Sequence, residues 1–146
     1  MASTTIPDVK SALLTLLGTV SALTTPNVDI RYAFSPSQRR DAVWMGETVL
    51  SELEPANFRG GRSRRHESFT IALHVQAHGR TPLEAETDAF AYARAIEEAL
   101  ADDPKINDTS NLSWAYVEEL EAQTAEADDG PACTIEMTIR CKGNFV

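Results

Sequence analysis

Four arginines and a histidine stand close together in one glycine-rich stretch, FRGGRSRRHESF. They are Arg59, Arg62, Arg64, Arg65 and His66. Guanidinium groups bind carboxylates and phosphates through paired hydrogen bonds, so the cluster could contact nucleic acid or an acidic protein surface. A solvated hairpin turn explains the same residues equally well. We take these five residues as a candidate interface with a neighbouring subunit or with a partner protein.

Nucleic-acid binding is the least supported of the three interpretations. The chain has 22 acidic and 13 basic residues, and its net charge of −9 repels a phosphate backbone. No predicted helix is basic, and no aromatic residues alternate with the arginines. A stand-alone nucleic-acid-binding protein is therefore a minor alternative.

The other residues that could do chemistry form no catalytic or metal-binding pattern. The sequence lacks the G-x-S-x-G, H-E-x-x-H, C-x-x-C and P-loop motifs. Neighbouring carboxylates such as Glu97 and Glu98 fall at a predicted helix end, where solvation explains them. His74 and His78 lie about 13 Å apart on a predicted strand, too far to share a metal. The sequence predicts no catalytic residue, metal or cofactor, and a small enzyme is a remote alternative.

Two cysteines, Cys133 and Cys141, fall on the apolar side of the alternating segment ACTIEMTIRCKG. Eight residues of strand separate them by roughly 27 Å. A disulfide requires Cα atoms within about 7 Å, so these two cysteines cannot form one with each other. We expect both to be buried as small apolar residues.

Charge is divided unevenly along the chain. Residues 81–131 contain 14 acidic and 2 basic side chains, whereas residues 1–80 contain 7 acidic and 9 basic ones. We expect the folded domain to have an acidic side and a basic side. Such a surface suits head-to-tail contact between copies.

Length and composition predict a single soluble domain that spans residues 1–146. The chain is 42% hydrophobic and 24% charged, which is ordinary for a globular protein. No apolar run reaches the roughly 18 residues that a membrane helix needs. The N-terminal segment lacks a basic leader and has helical periodicity, so we expect a cytosolic origin rather than a signal peptide.

The periodicity predicts two helices and five strands. The helices span residues 7–25 and 81–100, and the strands span residues 28–34, 42–54, 66–79, 111–122 and 132–145. Thr81 and Glu84 form a capping box at the start of the second helix. The expected buried stripe of that helix is Leu83, Phe90, Ala93, Ile96 and Leu100.

This order predicts an α+β fold. We expect one mostly antiparallel sheet of about five strands with both helices packed on one face. The first two strands are expected to form a hairpin. The other face of the sheet must then be semi-polar or covered by a partner.

The helix-containing segment GRTPLEAETDAFAYARAIEEALADDPKI is followed by SWAYVEELEA and ACTIEMTIRCKGNF. This arrangement resembles the tail terminator proteins of long-tailed, non-contractile bacteriophages, especially those of actinobacterial hosts. The resemblance covers nearly the whole chain, because the leading helix and the VDIRYAF hairpin also fit.

The resemblance implies a structural virion protein without enzymatic activity or cofactor. Tail terminators form a six-fold ring on the head-proximal end of the tail tube, stop tube polymerisation and join the neck. Their partners are other copies, the tail tube protein and a neck or stopper protein, and DNA passes through the lumen without sequence-specific binding. The implied location is the tail–neck junction of the virion, after assembly in the host cytoplasm. Another head-to-tail connector, such as a stopper or head-completion protein, is the nearest alternative.

Overall fold

The computed structural model describes residues 5–33, 41–57, 64–109, 112–127 and 130–145. Helices and strands follow one another as α1 Ile6–Leu17, α2 Ser21–Thr24, β1 Asp29–Arg31, β2 Ala42–Asn57, β3 Arg64–His78, α3 Pro82–Asp102, β4 Leu112–Ala127 and β5 Gly130–Phe145. None of the helices in these ranges is long and apolar enough to cross a membrane.

The described strands form a five-stranded sheet in the order β1-β2-β3-β5-β4. The pairs β2–β3, β3–β5 and β4–β5 are antiparallel. The predicted α+β fold with a mostly antiparallel sheet is therefore confirmed. The expected hairpin of the first two strands is wrong, because β1 runs parallel to β2 with Asp29 opposite Ala42. The two-residue turn of a hairpin joins antiparallel strands, so the parallel strands β1 and β2 do not form a hairpin.

One face of the sheet carries the core, because alternate residues of β3 and β5 point toward the helices. The fully buried residues on these two strands are Phe69, Ile71, Leu73, Val75, Ala77, Cys133, Ile135, Met137, Ile139 and Cys141. This is the alternation that the sequence predicts. Helices α1, α2 and α3 contribute further apolar side chains to the same core, as do β2, β4 and the turn that follows α3.

The single N-terminal helix predicted from the sequence is divided in two. Helix α1 ends at Leu17, and Gly18 and Thr19 lead to Val20, whose backbone is extended with φ −78° and ψ 111°. Glycine weakens a helix interior by about 1 kcal/mol relative to alanine, which favours termination here. The break turns the chain so that Leu23 in the short α2 is fully buried.

Helix α3 faces the sheet with a different stripe from the one predicted. Ala93, Ile96 and Leu100 are buried as expected, but Leu83 is 74% exposed and Phe90 is 39% exposed. The other residues on the buried face are Ala85, Ala89 and Tyr92. Small side chains on this face let the helix lie close to the sheet, and that packing outweighs the burial of two larger residues.

Both long hairpins reach further than the sequence predicts. The segments expected to be loops, PANFRGGRSRR and QTAEADDGP, are partly strand, since β2 continues to Asn57 and β4 continues to Ala127. Ladder hydrogen bonds to a long partner strand stabilise these polar residues in extended form, although their intrinsic strand propensity is low.

Candidate assembly surfaces

The candidate arginine cluster lies at one end of the β2–β3 hairpin. Arg64, Arg65 and His66 form the beginning of β3, opposite Asn57, Pro55 and Glu54 of β2. The remaining candidates, Arg59 and Arg62, fall outside the described residues. The assignment of these five residues to an interface stays a prediction.

Helix α3 presents an apolar stripe within an acidic surface. Leu83 and Phe90 are seven residues apart, close to two full turns, so they lie on the same side of the helix. The helix sequence, PLEAETDAFAYARAIEEALAD, contains six carboxylates and one arginine. Among the described ion pairs, the pair between Arg94 and Glu98, at 3.1 Å, is the one on this helix. The outer face of α3 is therefore apolar along its centre and strongly negative.

Asp41 connects α3 to the sheet. Its carboxylate accepts a 2.6 Å hydrogen bond from the hydroxyl of Tyr92 and a 2.8 Å bond from the backbone N–H of His78. Burial and the adjacent Asp41 carboxylate raise the pKa of Tyr92. The pKa of Asp88 is also raised, by burial first and then by the negative charges of Asp41 and Glu84. This cluster positions the helix, and the periodicity of the sequence offered no signal for Asp41.

A buried carboxylate connects β3 to the start of α1. Glu67 and Thr5 are 1% and 2% exposed, and Glu67 accepts a 2.6 Å hydrogen bond from the backbone N–H of Thr5. The Thr5 hydroxyl donates to the same carboxylate oxygen. Sequence reasoning missed this contact, although the alternation through Phe69 already placed Glu67 on the core side. A negative charge at a helix N-terminus interacts favourably with the helix dipole.

The sheet face away from the helices is polar and aromatic. Trp44 and His74 stack there with ring centroids 5.3 Å apart and planes 17° apart. A side chain at Gly46 would collide with the His74 imidazole, so glycine makes room for the stack. Arg140 lies 3.3 Å from the carboxylate of Glu118 on the same face. His74 is expected on the sheet face opposite the core, and it lies there. Its side chain is half-buried rather than fully exposed.

A groove of about 410 Å³ lies between α1 and the turn that follows α3. Three consecutive residues of this turn, Ile106, Asn107 and Asp108, have positive φ angles of 47°, 56° and 55°. Left-handed backbone is costly for a β-branched residue, and here the fully buried Ile106 side chain offsets that cost. The groove is lined by three threonines, by Asp103 and Asn107, and by the apolar residues Ala12, Leu16 and Ile106.

Neither cysteine forms a disulfide, and both are fully buried. Burial raises the pKa of Cys141 to about 12, which suppresses its reactivity as a thiolate. Across the described ranges, no three histidine, cysteine, aspartate or glutamate side chains are placed to hold a metal ion.

No family model matches the sequence, and no curated protein matches it. Among solved structures, the fold matches a chain from the virion of a native gene transfer agent particle. The match has a TM-score of 0.64 and covers 99% of this chain and 100% of that chain, at 15% sequence identity. At this identity the likeness shows a common fold.

Proposed function

We propose that this chain is a structural virion protein, without enzymatic activity, that serves as a tail terminator. Six copies form a ring on the head-proximal end of the tail tube, stop its polymerisation and provide the surface that binds the neck. The observation that carries the proposal is the end-to-end similarity in fold to a chain of a gene transfer agent virion. That similarity agrees with the sequence resemblance to tail terminators, which was drawn from independent features.

The charge distribution supports a ring of identical subunits. Head-to-tail contacts around a ring bring two different surfaces of the same chain together. Here residues 81–131 contain 14 acidic side chains and residues 59–65 contain four arginines, so one chain supplies two segments of opposite charge. The net charge of −9 also suits a channel through which DNA passes without being retained.

A second candidate is another head-to-tail connector, such as a stopper or head-completion protein. The similarity to a chain of a virion supports this role as well, because connector proteins are also virion components. The two roles predict different defects when the protein is missing.

The test is a stop codon placed early in this gene of the parent virus, with negative-stain electron microscopy of the lysate. We expect tails of uncontrolled, excessive length that are not attached to filled heads. Wild-type protein supplied in trans is the control and should restore tails of uniform length. Normal-length tails beside leaking heads would instead indicate that the protein is a connector. Intact, normal virions would overturn both roles.

A further inference from the structure

The exposed face of α3 carries two large apolar side chains, Leu83 and Phe90, that do not pack in the core. Leu83 projects from the first turn of the helix with 74% of its surface exposed, and Phe90 lies on the same stripe two turns later. Glu97 flanks this stripe on one side. Glu86 lies on the same side, eleven residues or close to three full turns earlier, but its carboxylate accepts a 3.0 Å hydrogen bond from the Thr124 hydroxyl of β4. An isolated exposed leucine needs no explanation, but a paired apolar stripe bordered by carboxylates marks a contact surface.

The chemistry of this face fits arginine side chains. An arginine places its aliphatic stem on apolar surface and its guanidinium on a nearby carboxylate or over an aromatic ring. The α3 face offers all three partners, namely Leu83, the ring of Phe90 and carboxylates such as Glu97. The helix carries a net charge of −5, from six carboxylates and one arginine, so it attracts a cationic partner.

This chain carries a matching group of arginines, but Arg64 and Arg65 cannot reach Leu83 or Phe90 within one molecule. Arg64 and His78 are the first and last residues of β3, which places them roughly 45 Å apart. Helix α3 begins at Pro82, next to the His78 end, and Phe90 lies only about 10 Å further along the helix axis. Arg64 and Arg65 thus lie far from Leu83 and Phe90 of the same molecule, so a contact between these residues requires two copies of the chain.

We propose that the exposed face of α3 binds the arginine-bearing end of the β2–β3 hairpin of a second copy of this chain. This inference rests on the proposed ring, and it specifies which two surfaces meet between adjacent subunits. Leu83 and Phe90 form the apolar centre of the contact, and the flanking carboxylates bind the guanidinium groups. Because each copy has one of each surface, the same contact repeats from subunit to subunit.

Site-specific cross-linking tests the contact directly. Purified Leu83→Cys chains are mixed with Arg65→Cys chains and treated with a short bis-maleimide linker. We expect a cross-linked pair in at least about tenfold excess over random collision, because the contact raises the local concentration of the two thiols. The wild-type chain should not react, since both native cysteines are fully buried.

The matched control keeps the Arg65→Cys chain and moves the second cysteine from position 83 to a different exposed site. Glu121 is exposed on β4, so Glu121→Cys chains mixed with Arg65→Cys chains report non-specific cross-linking. A yield from the Leu83→Cys mixture no higher than this control would overturn the proposed contact. A negative cross-linking result would not contradict the terminator role, which the tail-length test examines separately. Conversely, normal tails in the stop-codon virus would contradict the terminator role but would not contradict a positive cross-link.

A charge exchange provides the second measurement. Glu97→Lys should weaken self-association about tenfold, measured by analytical ultracentrifugation, because an attractive contact becomes repulsive. Adding Arg64→Glu and Arg65→Glu to the same chain should restore most of the lost affinity. Failure of this restoration, with an unchanged circular dichroism spectrum, would also overturn the pairing and would favour a contact of α3 with the tube protein.

Discussion

Asp41 shows how one residue can hold two layers of the fold together. It lies just before β2 and accepts hydrogen bonds from Tyr92 on α3 and from the end of β3 at His78. Its own backbone carbonyl accepts a 2.9 Å hydrogen bond from Asp29, which aligns β1 with β2. Three elements therefore depend on this residue for their relative position, at the end of the sheet where α3 begins.

The bond between Tyr92 and Asp41 predicts a pH-dependent contribution to stability. Burial and Asp41 raise the pKa of Tyr92 in the folded chain above the ordinary value of about 10. The contribution is therefore fully present below about pH 10 and is lost as the pH rises beyond it. We expect Tyr92→Phe to lower the unfolding free energy by about 1–2 kcal/mol at neutral pH, with a narrower gap from wild type in strong base. Urea unfolding across this range measures the gap, and a gap that stays constant into strong base would contradict the assignment.

Helix α3 combines a tightly packed inner face with an apolar outer stripe. Alanines at 85, 89 and 93 lie against the sheet, and a side chain at Gly79 would come within 2.6 Å of the backbone nitrogen of Ala85. The N-terminus of the helix is fixed by Thr81, whose hydroxyl accepts a 3.1 Å bond from the Glu84 N–H. This close packing sets the rotation of the helix and thereby turns Leu83 outward.

Two alanine substitutions on α3 test this rotation. Ile96 is fully buried, so Ile96→Ala should lower the unfolding free energy by about 3 kcal/mol through lost burial and a residual cavity. Leu83→Ala should change it by less than about 0.5 kcal/mol, because most of the side chain already contacts water. Urea unfolding of both variants gives the comparison. Equal losses would mean that the helix buries the stripe expected from the sequence.

At the scale of the whole molecule, basic and acidic residues are divided between different segments of the chain. The end of the β2–β3 hairpin includes Arg64 and Arg65, whereas α3 and β4 carry most of the carboxylates. Exposed charges at this spacing contribute little to the stability of one chain, because water and salt screen them. Their larger effect is on how copies orient and associate.

Reversal of the arginine cluster tests its role in assembly. The combined substitutions Arg62→Glu, Arg64→Glu and Arg65→Glu should abolish ring formation or tube capping, because they turn an attractive surface into a repulsive one. The variant is supplied in trans to the stop-codon virus, and tail lengths are measured by electron microscopy. We expect it to leave tails of excessive length.

The matched control carries the same change in charge elsewhere on the surface. Lys10→Glu, Arg31→Glu and Arg80→Glu remove a cation–π contact with Tyr32 and an ion pair with Asp29, both in exposed positions of small energetic value. This control should restore uniform tails. Tails of normal length with the arginine-reversed variant as well would show that the cluster is a solvated hairpin end.

Local chemistry in the sequence was enough to determine the α+β class, the alternation of β3 and β5, the burial of both cysteines and the start of α3 at Thr81. These features depend on neighbouring residues, since strand alternation has a period of two and a capping hydroxyl bonds to a residue three positions away. The parallel pairing of β1, the division of the first helix and the outward position of Leu83 depended on the tertiary structure. The outward position of Leu83 and the parallel pairing of β1 follow from contacts between distant segments, such as Tyr92 with Asp41 and Asp29 with Ala42, which no local period encodes. The candidate assembly surface divides in the same way: the arginines are evident in the sequence, whereas the apolar stripe on α3 was hidden until packing set the rotation of the helix.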